Sequence, residues 1–426
     1  MIESRKELDW TFLKLNTREY THIYHDYPAR MIPQIPRQLI DILDQKVGNT
    51  LFDPYCGSGS VLVEGELSGL NTIGCDINPL AILISTAKTD YSIIPAALEK
   101  EINNFMKFTL SPQGEPLIIQ NDRLSFWFKE SVVKPLGLIL MYISKIADPS
   151  IKRFFEVAAS ETIRESSNTR KGEFKLYRYN EETLKKHNPD PFVIMKSKLI
   201  RNFNGYKEFH LKISSMGNKP QTNVFLLNTA NSIPPSIIKK ESVDIVITSP
   251  PYGDSHTTVA YGQYSKLSSE WLGIYQHNVD RASMGGKIYK EDISLNCDPL
   301  EKAIDSIMDS KPKRAMEVSS FYHDLKSSIR NISKTIKPDG YACYVVANRR
   351  VSGIQLPTHQ AIEFFFEEFG FYHEETFTRS IPNKRMPSKN SPTNIAGETS
   401  STMLNEHIVL MRKTKNCENE STSNAI

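Results

Sequence analysis

A chain of 426 residues exceeds what one hydrophobic core usually serves, so two structural lobes are expected. Its 39% hydrophobic, 10% aromatic and 24% charged residues exclude a largely disordered protein, and a net charge of +3 is too small to argue nucleic-acid binding without local clustering. Five cysteines without a CxxC pair exclude a disulfide framework or zinc ribbon; the longest apolar run, Leu136 to Ile143, is too short to span a bilayer, and MIESRKELDW lacks a signal-peptide pattern, all of which predicts a cytoplasmic protein with no membrane segment.

In chain order, TLFD at 50–53 reads as a strand, the Gly-rich turn after it leads into the helix-like VLVEGELSG ending at Gly69, and TIGC from Thr72 reads as a second strand. This is a βαβ unit. Asn78-Pro79 opens a further helix, LAILISTAK. The alternation stops after about Tyr91 and returns at Thr222, where TNVFLL and then SVDIVITS, from Ser242 to Ser249, read as strands. The amphipathic stretch Phe321 to Ile336 is expected to end at the turn Pro338-Asp339-Gly340, before the buried strand YACYVV. THQAIEFFFEEFG predicts a helix, with a strand from Phe371, and HIVLMRK from His407 the last strand.

The spacing divides the chain into a cofactor-binding half at 1–94, an inserted, largely helical region at 95–220, a catalytic half at 221–412 and a polar, frayed tail at 413–426. Basic and aromatic residues crowd the insertion, among them Arg164, Arg170, Lys171, Lys175, Tyr177, Arg178, Lys198 and Arg201. Such a run is either a solvated helical surface or a face that neutralises phosphates; on the second reading Arg170, Lys171, Lys175 and Arg178 contact DNA. The segment RSIPNKRMPSKNSPTN, with Lys384 and Arg385, is open to the same two readings.

In DPYCGSGS a strand runs into a tight turn whose glycines, Gly57 and Gly59, allow a sharp reversal and close approach of a ligand. Asp76 follows Asp53 by 23 residues at the end of the second strand, where an acceptor-only carboxylate can take both hydroxyls of a ribose. No Lys-Ser/Thr follows the turn, so a cofactor with a ribose and no triphosphate is expected.

Thr248-Ser249-Pro250-Pro251-Tyr252 is the most informative stretch. An exocyclic amine of a base is a poor nucleophile because its lone pair is delocalised into the ring. Acceptors that hold its two protons draw the nitrogen towards tetrahedral geometry, and the Ser249 hydroxyl and the Pro250 carbonyl suit that task. Pro250 and Pro251 stiffen the loop; Tyr252 would stack on a base flipped out of the duplex. His256 and Asp254, just beyond, could act as a base, although solvent would suffice.

DPYCGSGSVLVEG resembles the first motif of amino-methylating DNA methyltransferases, THIYHDYPARMIPQIPRQLI resembles their motif over the methionine end of the cofactor, and SPPY resembles their catalytic motif. The resemblance covers most of residues 20–91 and 222–412 and implies a Rossmann-like S-adenosylmethionine-dependent methyltransferase fold, a mostly parallel α/β sheet without a metal. It places Asp53, Tyr55, Gly57, Gly59, Asp76 and Ile77 about the cofactor, Pro28, Ala29 and Arg30 near its amino-acid end, and Asn228 where the family often has an acidic residue near the adenine. A leading Ser in the catalytic motif implies cytosine N4 as target in double-stranded DNA, and the family implies a cognate restriction endonuclease. Adenine N6, an RNA guanine N2 and a catalytically silent nucleic-acid binder stay open as alternatives.

Overall fold

The computed structural model describes residues 8–13, 15–253, 259–289, 294–381, 389–390, 400–401 and 405–415. Within them, β1 (Thr50–Asp53), β2 (Asn71–Asp76), β3 (Thr222–Leu226), β4 (Val243–Thr248), β5 (Ile336–Val346), β6 (Phe371–Ser380) and β7 (Asn405–Lys413) form one sheet in the order β3-β2-β1-β4-β5-β7-β6. The first five run parallel, and β7 lies antiparallel between β5 and β6. The Rossmann-like, mostly parallel expectation holds.

Strand periodicity explains why helices cover both faces. Phe52, Val246, Ala342, Tyr344, Val409 and Met411 point to one side, in one cluster with α9 (Asp298–Met308), α10 (Pro312–Ser333) and α11 (Thr358–Glu368). Their neighbours Leu51, Ile245, Ile247, Cys343, Val345, Ile408 and Leu410 point to the other, against α1 (Gln34–Ile42) and α2 (Ser60–Leu67). Two apolar faces make these strands nearly continuous hydrophobic runs, as a doubly covered parallel sheet requires.

Two sequence expectations shift. Helix α10 begins at Pro312 and ends at Ser333, and Pro338-Asp339-Gly340 lies inside β5. There the β4 step from Val243 to Ile245 is matched by Ile336 to Tyr341, so the extra residues bulge out, with Asp339 at φ 68°. A side chain at Gly340 would press on the Asp244 and Lys337 carbonyls at 3.0 Å.

After β2, α3 (Pro79–Thr89) leads into α4 (Pro95–Phe108), α5 (Glu130–Ser144), α6 (Pro149–Ser166) and α7 (Pro191–Ser214), so the inserted stretch is helical as expected. It shares a core with the cofactor half: Leu80 and Ile84 of α3 and Tyr24 and Tyr27 pack in one cluster with Phe105, Ile139, Phe154, Phe155, Leu199 and Tyr206.

One buried carboxylate secures that join. Glu161 on α6 accepts from the Asp26 backbone N–H at 2.8 Å and from Arg201 Nη2 at 2.6 Å, with Lys198 Nζ 3.2 Å away. Arg201 also donates to the Tyr24 carbonyl at 2.6 Å. Burial pushes the Glu161 carboxyl up, but His25, Arg201 and Lys198 pull it further the other way, to about 2.

With a folded value below the unfolded 4.5, Glu161 contributes stability that is fully present above about pH 4.5 and is lost as pH falls towards 2. Replacing it by alanine takes the carboxylate from Arg201 and leaves Lys198 only its pair with Glu165. Glu161→Ala is therefore expected to cost about 3–5 kcal/mol in urea denaturation at pH 7, and much less near pH 2.

Candidate active site

The chain reverses its direction of travel across the sheet between β1 and β4, which opens a crevice at their carboxyl ends. A cleft with about 900 Å³ of space, its mouth included, lies there. Its walls bring together residues far apart in sequence: Pro28, Ala29 and Arg30; Asp53, Tyr55 and Gly57; Asp76 and Ile77; Asn228; and Ser249 with Pro251. The two motifs thus face one shared space.

Hydrogen bonds at the strand ends fix this geometry. Thr248, last in β4, donates its hydroxyl to Asp53 Oδ1 at 2.6 Å, and the Tyr55 N–H points to the same oxygen at 3.2 Å. Asp76 accepts from the Gly57 N–H at 3.0 Å and the Asn78 N–H at 2.8 Å, so it braces the glycine turn as well as lining the cleft. Burial pushes the Asp53 carboxyl up to about 7 and the Asp76 carboxyl up to about 6; hydrogen bonds from Thr248 and the backbone offset only part of this.

The two glycines have different tasks. Gly57 sits at φ 48° on the cleft wall. Gly59, the cap of α2 at φ 74°, lies outside the cleft lining, and a Cβ there would meet Ser85 of α3 at 2.9 Å. Its smallness lets two helices approach.

In the SPPY stretch, Ser249 and Pro251 line the cleft, while Pro250 and Tyr252, beside them in the loop, are outside its lining. Ser249 donates to the Tyr252 hydroxyl across 3.4 Å, and Tyr252 donates to Glu406 Oε1 at 3.0 Å. Burial, and next the Glu406 charge, push the Tyr252 hydroxyl well above its ordinary range, so it remains a donor. Asn228 uses its side chain to join the cleft walls, donating to the Ala282 carbonyl at 3.0 Å and accepting from the Ala230 N–H at 3.0 Å.

Several lining residues escaped sequence reasoning: Tyr27, Asn78, Tyr261 and the run Ala282 to Met284. Tyr27 lies within the motif that contains Pro28 and takes a hydrogen bond from Asn78 Nδ2 at 3.1 Å. Its ring stacks on Tyr261, the first residue of α8 (Tyr261–Trp271), with 6.0 Å between centroids. Nothing local in the sequence marks Tyr261 or residues 282–284.

The chain is 41% identical to the type II methyltransferase M.MvaI of Kocuria varians, over 94% of its own length and 93% of that protein's. This chain belongs to the type II DNA methyltransferase family. A family profile described as UPF0020, an RMKL-like methyltransferase domain, matches residues 18–101. More local likenesses are to the type II methyltransferase M.MjaII of Methanocaldococcus jannaschii, 30% identical over 29% of this chain and 26% of that one, and to a tRNA (guanine(10)-N2)-dimethyltransferase of Methanothermobacter thermautotrophicus, 36% identical over 12% of this chain and 16% of that protein.

The cofactor of this methyltransferase is S-adenosylmethionine. The cleft fits it chemically: two carboxylates with spare acceptor capacity suit hydroxyls and cationic groups, and no lysine or arginine cluster awaits a triphosphate among the lining residues.

The basic residues of the insertion divide. Arg170 and Lys171 are exposed just after the Thr169–Arg178 bridge that closes a short hairpin. This hairpin reaches α8, where the Leu176 N–H meets Gln263 Oε1 at 3.4 Å, and Lys175 is half-buried within it. Arg178 holds the fold, donating to the Phe126 carbonyl at 3.1 Å and to Glu181 at 2.5 Å. Arg164 lies over the Tyr264 ring at 4.0 Å, and Lys198 and Arg201 serve Glu161, so these three do not belong to a phosphate-binding face. Lys384, Arg385, Asp254 and His256 lie outside the described residues.

Arg349 is 9% exposed and packs against Gly253, just after the SPPY stretch. A Cβ at Gly253, at φ 153°, would fall inside its guanidinium. Gly253→Ala must therefore displace either Arg349 or the SPPY loop. A loss of about 1–3 kcal/mol in unfolding free energy by urea denaturation is expected, with cofactor affinity nearly unchanged by calorimetry.

Proposed function

We propose that this DNA methyltransferase transfers a methyl group to N4 of a cytosine flipped out of double-stranded DNA. It would act at a specific sequence in the cytoplasm, as the modification partner of a restriction endonuclease. The observation that carries the reading is the opening of Ser249 and the Gly57–Asp76 turn into one cleft. Serine at the first position of the catalytic motif favours cytosine, through the family resemblance.

When bound, the cofactor supplies an electrophilic methyl group on a cationic sulfur. The protein's own part is positioning. Asp76 would take the ribose hydroxyls; Asp53 and the Pro28–Arg30 segment would hold the amino-acid end, and Gly57, Tyr55, Ile77 and Asn228 would line its path. Ser249 Oγ and the Pro250 carbonyl accept the two amine protons and draw the nitrogen out of conjugation. Pro251 keeps that pair in place, and the Tyr252 ring flanks the base. Arg170 and Lys171, on the hairpin against α8, would take phosphates near the cleft mouth.

Incubation with labelled cofactor and mixed-sequence duplex DNA, followed by mass spectrometry of the nucleosides, is expected to yield N4-methylcytosine. N6-methyladenine would replace the target while keeping the chemistry. The local likeness to tRNA guanine methyltransferases makes a second reading concrete, and N2-methylguanosine formed in tRNA but not in DNA would establish it. No label in either nucleic acid would mean a silent binder. Ser249→Ala is expected to slow transfer about a hundredfold or more, the scale of losing one preorganised hydrogen-bonding group.

Cofactor binding should also report the two carboxylates. Ionised Asp53 and Asp76 favour a cationic ligand, and burial holds them near 7 and 6 in the free protein. Affinity is expected to rise as pH increases through this range, with proton release. Calorimetry in buffers of different ionisation enthalpy checks it; pH-independent binding would contradict it.

A further inference from the structure

Behind the catalytic serine runs a chain of oxygen atoms that the proposed reaction has not yet used. Ser249 donates to Tyr252 at 3.4 Å, and Tyr252 donates to Glu406 at 3.0 Å. Glu406 lies opposite Arg379 at the open end of the β6–β7 pair, with its other carboxylate oxygen 3.4 Å from Arg379 Nη1. Arg379 is 6% exposed, so the pair is mostly shielded from water.

Donor direction gives this chain its meaning. A serine hydroxyl has one proton and two lone pairs, and it can accept from an amine only if its proton points elsewhere. A carboxylate accepts only. Glu406 therefore compels Tyr252 to give its proton away from Ser249, which leaves the phenolic oxygen as an acceptor for the Ser249 proton. The lone pairs of Ser249 are then left towards the cleft.

We propose that Glu406, held by Arg379, is a positioning residue that acts through Tyr252 to set the Ser249 hydroxyl as an acceptor for the substrate amine. The inference rests on the amino-methyltransferase reading above. It gives Tyr252 a task for its hydroxyl besides that of its ring, and it distinguishes Tyr from Phe at this position. Without the carboxylate, the Ser249 proton is free to point at the amine, where two donors would oppose each other.

The test is single-turnover methyl transfer by the full chain with Tyr252→Phe, Glu406→Ala, Glu406→Gln and the double variant Tyr252→Phe/Glu406→Ala, with DNA and cofactor affinities measured separately. Tyr252→Phe and Glu406→Ala are each expected to slow transfer about ten- to a hundredfold, while both affinities change less than about threefold. The double variant should be no slower than the slower single one, because both remove the same chain. Glu406→Gln, whose amide oxygen still accepts from Tyr252, should restore most of the rate lost in Glu406→Ala.

Losses that multiply in the double variant, or a Tyr252→Phe enzyme as fast as the wild type, would overturn the proposal. If Glu406→Ala fails to fold, Tyr252→Phe alone and with Glu406→Gln gives the same decision, since Glu406→Gln should then add nothing. A wild-type chain that transfers no methyl group to DNA would sink the parent reading along with this one; an active wild type with an unaffected Tyr252→Phe would sink only this one.

Discussion

The hydrogen bond from Thr248 to Asp53 couples the two halves of the site. It closes the gap between the last residues of β1 and β4 at 2.6 Å, where the sheet order reverses. Asp53 begins the glycine turn, and Thr248 precedes Ser249. The distance between the glycine turn and the Ser249 hydroxyl is thus set by neighbouring ends of paired strands, the stiffest parts available, with no long loop between them. A burial cost accompanies this arrangement, seen in the Asp53 carboxyl pushed up to about 7. The protein places this buried carboxyl on the cleft wall, where its charge would serve a cationic ligand.

The inserted helices serve that geometry indirectly. Glu161 ties α6 and α7 to the backbone at Tyr24 and Asp26, and the next residues, Tyr27 to Met31, form a cleft wall. Tyr27 then reaches Asn78 and stacks on Tyr261. A segment that interrupts the sheet's alternation therefore supports the wall nearest the first motif, and one face of α8 packs on it: Ser268 donates to the Ser160 carbonyl of α6 at 2.7 Å. The inserted helices and the cleft wall at Tyr27 thus share one core.

How far the sequence was legible depends on whether a signal was local. TLFD coincides with β1, and DPYCGSGS and SPPY end up on one cleft, because strand ends and tight turns are encoded by a few adjacent residues. The α/β class follows from two apolar faces per strand, which consecutive hydrophobic residues reveal. Charge was less legible. Arg164, Lys198 and Arg201 belong to the same basic run as Arg170 and Lys171, yet they point inward to Tyr264 and Glu161. Composition counts a cation without giving its direction, and helical periodicity is too coarse to separate a buried ion pair from a solvated face. Pro338-Asp339-Gly340 misleads for a related reason: turn residues also suit a bulge, and only pairing with β4 decides between the two.

The Arg379–Glu406 pair is the extreme of this limit. Arg379 opens the basic segment RSIPNKRMPSKNSPTN and Glu406 lies at the start of the last strand, and each reads as an ordinary charge beside a strand. Antiparallel pairing of β6 and β7 puts them opposite each other, and antiparallel pairing of β7 with β5 sets the start of β7 beside the end of the strand next to β4. Only with all three strands in register does Glu406 come within reach of Tyr252. The SPPY motif can thus be read as a loop that aims acceptors, but which way its serine proton points depends on a carboxylate from the last strand, and that dependence exists only in the folded sheet.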